Sequence, residues 1–336
     1  MIPRMYSLFL FSLMLQSFLL NISFSFVTIN SRSAGTVRLT QTCSQFHRNT
    51  LWAVKGRSSG FSKNSKNKKE GSSSTPSEER KTHFRSIDTN SHLLHVAKSI
   101  ATGVDSIVDQ LQSKSYAIVD DFLGSDISLL YRNEAEKMQS KMVPSQSTRW
   151  DEATNSVIAY DKHNVLSTQL LGGDMYYSAP RLHEYIVSMV QNIVPLLSKT
   201  FPEARLSPTL ASNKLAVCLG DGSYYDKHYD NSGSDDLRKL TVLYYLNPTW
   251  TPDLGGYFRA FHPSPQDKEG DQHTSKFNIQ TSEYEDIAPI ADRLLVFWSD
   301  QLEHSVLSSV APKGPIDHRY AMTIWIATTD AASIHI

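Results

Sequence analysis

Cysteine is almost absent: the 336 residues hold two, Cys43 and Cys218. Cys43 lies in an N-terminal leader, so the body of the chain has one thiol and no internal disulfide, and a chain this long can bury enough surface without one. No cysteine pair and no H-E-x-x-H run is present, which argues against zinc-finger and zinc-hydrolase chemistry. Acidic residues are missing from the start of the chain. Met1 to Thr75 carries ten Lys and Arg against one acid, Glu70, which leaves 23 basic and 33 acidic residues for 76–336. An acidic body lacks the Lys and Arg from which phosphate-backbone binding draws its affinity, so no nucleic-acid partner is expected. Unbroken apolar runs are short. The mostly apolar stretch Tyr6–Val27 is interrupted by Ser12, Gln16, Ser17 and Asn21, which fits a signal-peptide core better than a span, and no stable membrane span is expected after processing. There is no internal repeat. What remains, 40% hydrophobic, 10% aromatic and 20% charged residues, is the composition of a soluble globular protein.

The leader, residues 1–55, joins this signal-like segment to a stretch free of acid up to Lys69 and rich in Ser, Arg, Lys, Asn and Thr. Such a composition reads as an organelle transit peptide. The two in tandem resemble the bipartite leader of proteins sent to a secondary plastid through the ER; residence in the ER lumen or secretory pathway is the alternative. The one N-x-[ST] sequon, Asn21-Ile22-Ser23, lies inside the leader, which speaks against long residence in the lumen. Residues 56–85 form a polar, low-complexity linker that cannot bury enough surface to fold. Residues 86–205 are expected to be largely helical and 206–330 largely β.

In the helical part, Leu94, Ala97, Ala101, Val104, Val108 and Leu111 recur every three or four residues, predicting an amphipathic helix over 92–113 with Ser91 as its cap. A short strand over 116–119 precedes a helix over about 125–141. A third helix starts at Pro180, with Pro195 expected to kink it or end it before Phe201. Beyond Leu206 the chain breaks into seven or eight short β-rich runs: 215–219, 223–230, 240–246, 257–261, 293–298, 304–310 and 319–328. Helices first and strands afterwards predict an α+β fold, a sandwich or jelly roll buttressed by helices.

His228-Tyr229-Asp230 falls on one of these runs, where alternation puts His228 and Asp230 on one face, able to share a metal. An H-x-D triplet alone means little. Its weight comes from the order that follows: His304 opens a later run after the apolar RLLVFW, and Arg319 opens the last. Two imidazoles and a carboxylate form the facial triad that holds non-haem Fe(II) with open positions, and a guanidinium beyond it suits a bidentate grip on a carboxylate.

HYDN (228–231), VLYYLNPTW (242–250), LGGYFRAF (254–261), DRLLVFWSD (292–300), EHSV (303–306) and HRYAMTIW (318–325) together resemble the Fe(II)- and 2-oxoglutarate-dependent prolyl 4-hydroxylases, and most closely the Egl-nine-type, oxygen-sensing branch. The resemblance implies a double-stranded β-helix with His228, Asp230 and His304 as iron ligands. It implies that Arg319 binds the far carboxylate of 2-oxoglutarate, with Tyr245 donating a hydrogen bond beside it. The implied cosubstrates are 2-oxoglutarate and O2, with ascorbate keeping the iron reduced, and the implied reaction hydroxylates a prolyl residue of a protein or peptide, releasing succinate and CO2. Arg319 stands where the collagen-type branch usually has Lys, and Trp325 where nucleic-acid-demethylating relatives have a second Arg. Two departures stand out. Cys218 occupies a position where the branch has a cosubstrate-contacting Tyr, and the loops 262–285 and 305–318 are longer than usual.

Three substrate-side candidates follow. Arg238 resembles a position near the substrate entrance. Trp325 shares strand parity with Arg319 and is either pocket wall or barrel core. Tyr224 and Tyr225 precede the metal run; parity beside a turn does not choose between them, and Tyr225 is carried as the candidate. A 2-oxoglutarate oxygenase acting on a small molecule and a non-catalytic metal-binding jelly roll are the competing functions.

Overall fold

The computed structural model describes residues 88–335, apart from 232, 234 and 263–282. The expected leader, the linker and most of the 262–285 loop lie outside the described residues. Helix α1 (Thr89–Lys114) is capped by Asp88, whose side chain accepts from the Ser91 amide at 3.1 Å, so the cap sits three residues earlier than expected. The buried face of α1 is His92, Val96, Ile100, Ile107 and Leu111. Leu94 is 59% exposed: two stripes share the same spacing, and the one carrying the bulkier Val96, Ile100 and Ile107 faces inward.

Strand β1 (Tyr116–Val119) leads to α2 (Ser125–Met138), which ends in a 3-10 turn at Gln139–Lys141. Next comes a long hairpin, β2 (Val143–Asp151) and β3 (Ser156–Thr168), then a short α3 (Asp174–Ser178) and α4 (Pro180–Thr200). Pro195 does not end α4. Ile193, Val194 and Leu197 around it are all buried, and that tertiary burial outweighs the lost amide donor. The N-cap of α4, Ala179, has no side chain to offer; Glu134 of α2 supplies the missing carboxylate, accepting from the amides of Arg181 (3.2 Å) and Leu182 (2.9 Å).

The remaining strands are β4 (Leu206–Cys218), β5 (Ser223–His228), β6 (Arg238–Tyr245), β7 (Phe258–Phe261), β8 (Tyr284–Ile287), β9 (Leu294–Trp298), β10 (Glu303–Ser309) and β11 (Arg319–Thr328). They form a seven-stranded sheet, β1-β9-β6-β11-β4-β3-β2, facing a four-stranded one, β5-β10-β7-β8. Every pairing is antiparallel. This is the expected α+β double-stranded β-helix, with helices on the outer face of the large sheet.

Strand parity divides the interior. On β11, Tyr320, Met322, Ile324 and Ile326 join the core shared with the helices, as do Val242 and Tyr244 of β6 and Leu215 and Val217 of β4. The alternate residues Leu243, Tyr245 and Ala321 pack between the two sheets with Phe258 and Phe297. Strands buried on both faces read as continuous apolar runs, which is why β6, β9 and β11 are plain in the sequence. Arg132 of α2, 3% exposed, ties the last loop down: its guanidinium donates to the carbonyls of Leu246 (3.1 Å), His318 (2.8 Å), Pro315 (3.2 Å) and Ile316 (3.3 Å). It thereby fixes the chain that enters β11 at Arg319.

Candidate active site

An open cavity lies between the two sheets. His228 and His304 are direct partners across the β5–β10 pair, so two imidazoles meet by register alone. Asp230 lies two residues past the end of β5, not on the strand as expected; the chain turns there, and the amide of Asn231 donates to the Ser299 carbonyl. One donor atom from each of His228, Asp230 and His304 lies within 4.8 Å of the other two.

The donors are oriented from behind. The carbonyl of Asp226 accepts from His228 Nδ1 (2.6 Å) and that of Leu302 from His304 Nδ1 (3.0 Å). A carbonyl can only accept, so both rings carry the proton on Nδ1 and present a bare Nε2. Asp230 Oδ2 accepts from Thr241 Oγ1 (2.7 Å) and Trp325 Nε1 (2.9 Å). That leaves Oδ1 facing the two Nε2 atoms at 3.7 and 3.9 Å. Burial, reinforced by the neighbouring His304, lowers His228 to about 4; burial lowers His304 as well. Burial acts to raise Asp230, but the two imidazoles and the hydrogen bonds from Trp325 and Thr241 outweigh it and hold the carboxyl at about 2. Two neutral imidazoles and an ionised carboxylate at neutral pH are a ready divalent-metal donor set. His304 stacks on Phe258 (4.8 Å, 14°) and meets Phe297 edge-on at 4.9 Å, so one wall of the site is dry.

Arg319, 6% exposed, lines the same cavity. Its Nε donates to the Gly256 carbonyl at 2.8 Å, while Nη2 is buried with no partner. Gly256 has φ +68°, and a Cβ there would lie 2.8 Å from Arg319 Cδ, so a glycine is needed both for the backbone and for the guanidinium. Tyr245 is fully buried, its ring 5.2 Å from that guanidinium, and its hydroxyl also lacks a partner. A buried orphan guanidinium nitrogen and an orphan phenol side by side fit a carboxylate ligand.

Of the substrate-side candidates, Trp325 lines the cavity and, as noted, donates to Asp230 rather than filling the barrel core. Tyr225 also lines the cavity, whereas Tyr224 is 46% exposed. Arg238 is absent from the cavity wall: it is ion-paired with Asp236 and sits 5.4 Å from the Trp325 ring. Cys218, buried and paired in register with Arg319, lines the cavity too. Sequence reasoning missed Thr241, Lys162 and Lys214. Lys214 shares parity with Ala216 and Cys218 on β4, a signal that was present; Lys162 lies on a hairpin whose polar strands were not recognised.

Comparison with known proteins agrees with this geometry. Residues 214–327 match the 2OG-Fe(II) oxygenase superfamily. The prolyl hydroxylase EGLN3 of Mus musculus is 38% identical over 117 residues, 34% of this chain and 39% of the relative. Egl nine homolog 1 of Rattus norvegicus is 25% identical over 237 residues, 69% of this chain and 61% of the relative. This chain thus spans well under half the length of the first of these. Among solved structures, a Trichoplax adhaerens prolyl hydroxylase in complex with a hypoxia inducible factor oxygen degradation domain peptide fragment shares the fold with a TM-score of 0.53 at 23% identity, covering 75% of this chain and 98% of that one. A prolyl 4-hydroxylase from Phytophthora capsici does so at 0.53 and 22%, covering 74% and 69%.

Proposed function

We propose that this chain is an Fe(II)- and 2-oxoglutarate-dependent dioxygenase that hydroxylates a prolyl residue in a protein or peptide, releasing succinate and CO2. The observation that carries the reading is that the triad His228, Asp230, His304 and the orphan guanidinium of Arg319 open on one cavity. The relatives named prolyl hydroxylase support the choice of substrate, and the Trichoplax protein was solved with a peptide.

His228, Asp230 and His304 would hold the iron. Together with 2-oxoglutarate it supplies the oxidative decarboxylation that delivers one oxygen atom to a substrate C–H bond. The rest is done by the chain. Arg319 and Tyr245 bind and neutralise the far carboxylate of 2-oxoglutarate and so fix its orientation. Thr241 and Trp325 hold Asp230 with one oxygen turned to the imidazoles. Phe258 and Phe297 keep water from one side of His304. A prolyl residue carries no N–H of its own, and an extended segment around it has no internal backbone hydrogen bonds to break before it lies across the open mouth.

The test supplies the full chain with Fe(II), 2-oxoglutarate and ascorbate, the last as the reductant that keeps the iron Fe(II), and measures succinate with and without proline-containing peptides. Iron-dependent succinate that rises with particular peptides, each gaining one oxygen atom by mass, is the expected result. Succinate that no peptide alters would overturn the prolyl assignment. The proposed location is a plastid reached through the ER, supported by the composition of residues 1–85. A fluorescent protein fused behind those residues is expected in the plastid, and its secretion would overturn that reading. No helix among the described residues is long and apolar enough to cross a membrane.

A further inference from the structure

Three cations line the cavity, Lys162, Lys214 and Arg319, against a single carboxylate, Asp230. The carboxylate of 2-oxoglutarate accounts for Arg319. Nothing in the reaction so far accounts for the lysines. Lys162 Nζ sits 3.9 Å from the centroid of the Tyr225 ring, and Lys214 Nζ lies 5.4 Å from that ring and 5.3 Å from the Trp325 ring. Both side chains are half-buried, and neither forms an ion pair among the described residues. Asp230 is near enough to attract both but pairs directly with neither: one of its oxygens is taken by Thr241 and Trp325 and the other faces the imidazoles. Burial, helped by Lys214 beside Lys162 and by Arg238 beside Lys214, lowers Lys162 to about 7 and lowers Lys214 too, and Asp230 offsets this only in part. Two ammoniums held in a partly desolvated aromatic cage with no carboxylate in direct contact are costly unless an anion joins them.

The place of Lys214 in the sheet separates it from the cosubstrate grip. Arg319 pairs with Cys218, whereas Lys214 pairs with Thr323, four residues along β11 and roughly 13 Å at the rise of a strand. The row runs from buried Arg319 to half-buried Trp325, so Lys214 sits towards the open end, where substrate enters, and Lys162 meets it from β3 at the Tyr225 ring.

We propose that Lys162 and Lys214 form a carboxylate subsite for the substrate, so that the enzyme selects a prolyl residue with an acidic group beside it: an Asp or Glu side chain, or a free C-terminal carboxylate. The proposal rests on the prolyl-hydroxylase reading and adds the chemistry of the flanking residue. Tyr225 and Trp325 supply the flat walls, and the hairpin β2–β3 supplies Lys162 from one side while β4 supplies Lys214 from the other.

The test uses the full-length protein with Fe(II), 2-oxoglutarate and three sets of proline peptides. One set carries Asp or Glu near the proline with an amidated C-terminus; one carries Asn or Gln there; one is neutral with a free C-terminus near the proline. Hydroxylation is read by mass, and binding by fluorescence anisotropy of labelled peptides. The expected result is kcat/KM about tenfold or more higher for the acidic set, or the free-terminus set, than for the amide isosteres, the size of a charge-assisted contact. In Lys162→Met and Lys214→Met, which keep length and lose charge, that preference collapses through the KM for peptide. Equal turnover of acid and amide peptides by the unaltered protein overturns the proposal without needing a variant. So does a preference that survives both substitutions, or a loss that falls on the KM for 2-oxoglutarate, which would assign the lysines to the cosubstrate. If no peptide is hydroxylated yet acidic peptides bind in a lysine-dependent way, the subsite stands and the prolyl reading falls. If none is hydroxylated and none binds, both fall.

Discussion

Trp325 shows how much a single side chain can decide. Its indole nitrogen and the Thr241 hydroxyl share one oxygen of Asp230, and only because that oxygen is occupied does the other turn to the imidazoles. Groups that orient a metal ligand are commonly worth tenfold or more in affinity. Trp325→Phe, which keeps the ring and removes the N–H, is expected to weaken Fe(II) or Mn(II) binding by about tenfold, read by competition with a chelator. Unchanged affinity would leave Thr241 alone as the orienting group. At this scale the sequence was legible where chemistry imposes order: H-x-D, a later His and a final Arg are recognisable because the reaction needs them all. Lys162 was not legible and Lys214 only through its parity with Ala216 and Cys218, since a lysine in a strand ordinarily points to water and the three-dimensional placement of Tyr225 and Trp325 shows otherwise.

Between elements, the contacts that matter are polar and distant in sequence. Arg132 serves carbonyls on two separate loops, and its removal leaves buried acceptors unpaired. Arg132→Met is expected to cost about 3 kcal/mol by denaturant unfolding, with faster amide exchange at 315–320. Glu134, which caps α4, carries a pH signature. Burial raises it to about 7 against an ordinary 4.5, with the amides of Leu182 and Arg181 opposing. A raised folded value means that its contribution is fully present below 4.5 and lost as pH rises through about 7. The denaturation midpoint of the unaltered protein, relative to that of Glu134→Gln, is therefore expected to fall between those two pH values; parallel curves would contradict the assignment. Element boundaries followed the same divide between local and distant causes. The ends of β1 and β11 were legible from their apolar runs. The true face of α1 was hidden because two stripes share one period, the continuation of α4 past Pro195 depends on packing, and the polar alternation of β2 and β3 resembles loop.

Across the whole molecule, the metal donors sit on the small sheet and its adjoining loop, while the carboxylate grip belongs to the large one. Metal binding should therefore clamp β5 to β10. Saturation at about a hundred times Kd adds roughly 2.7 kcal/mol, so Tm is expected to rise with Fe(II) or Mn(II) and fall on chelation, with slowed amide exchange concentrated in 223–231 and 303–309. His304→Ala is expected to lose that metal-dependent rise; a rise that persists would dissociate His304 from the site. The layered architecture was legible as helices followed by strands, together with the run of family motifs. The split into seven and four strands was not, because sheet membership depends on long-range pairing that no local pattern encodes.

The alternation along β11 has a last consequence. Its even-numbered residues lock into the helices, its odd-numbered ones carry Arg319, Thr323 and Trp325 into the cavity, and neighbours hold it on both edges. Losing or gaining one codon here would exchange the two faces at a stroke, burying a guanidinium among leucines and turning methionine and isoleucine towards the metal. Insertions and deletions within 319–328 should thus be absent from working descendants of this gene, while the β2–β3 tip at 152–155, exposed and paired on nothing beyond its own ribbon, is where length can vary freely.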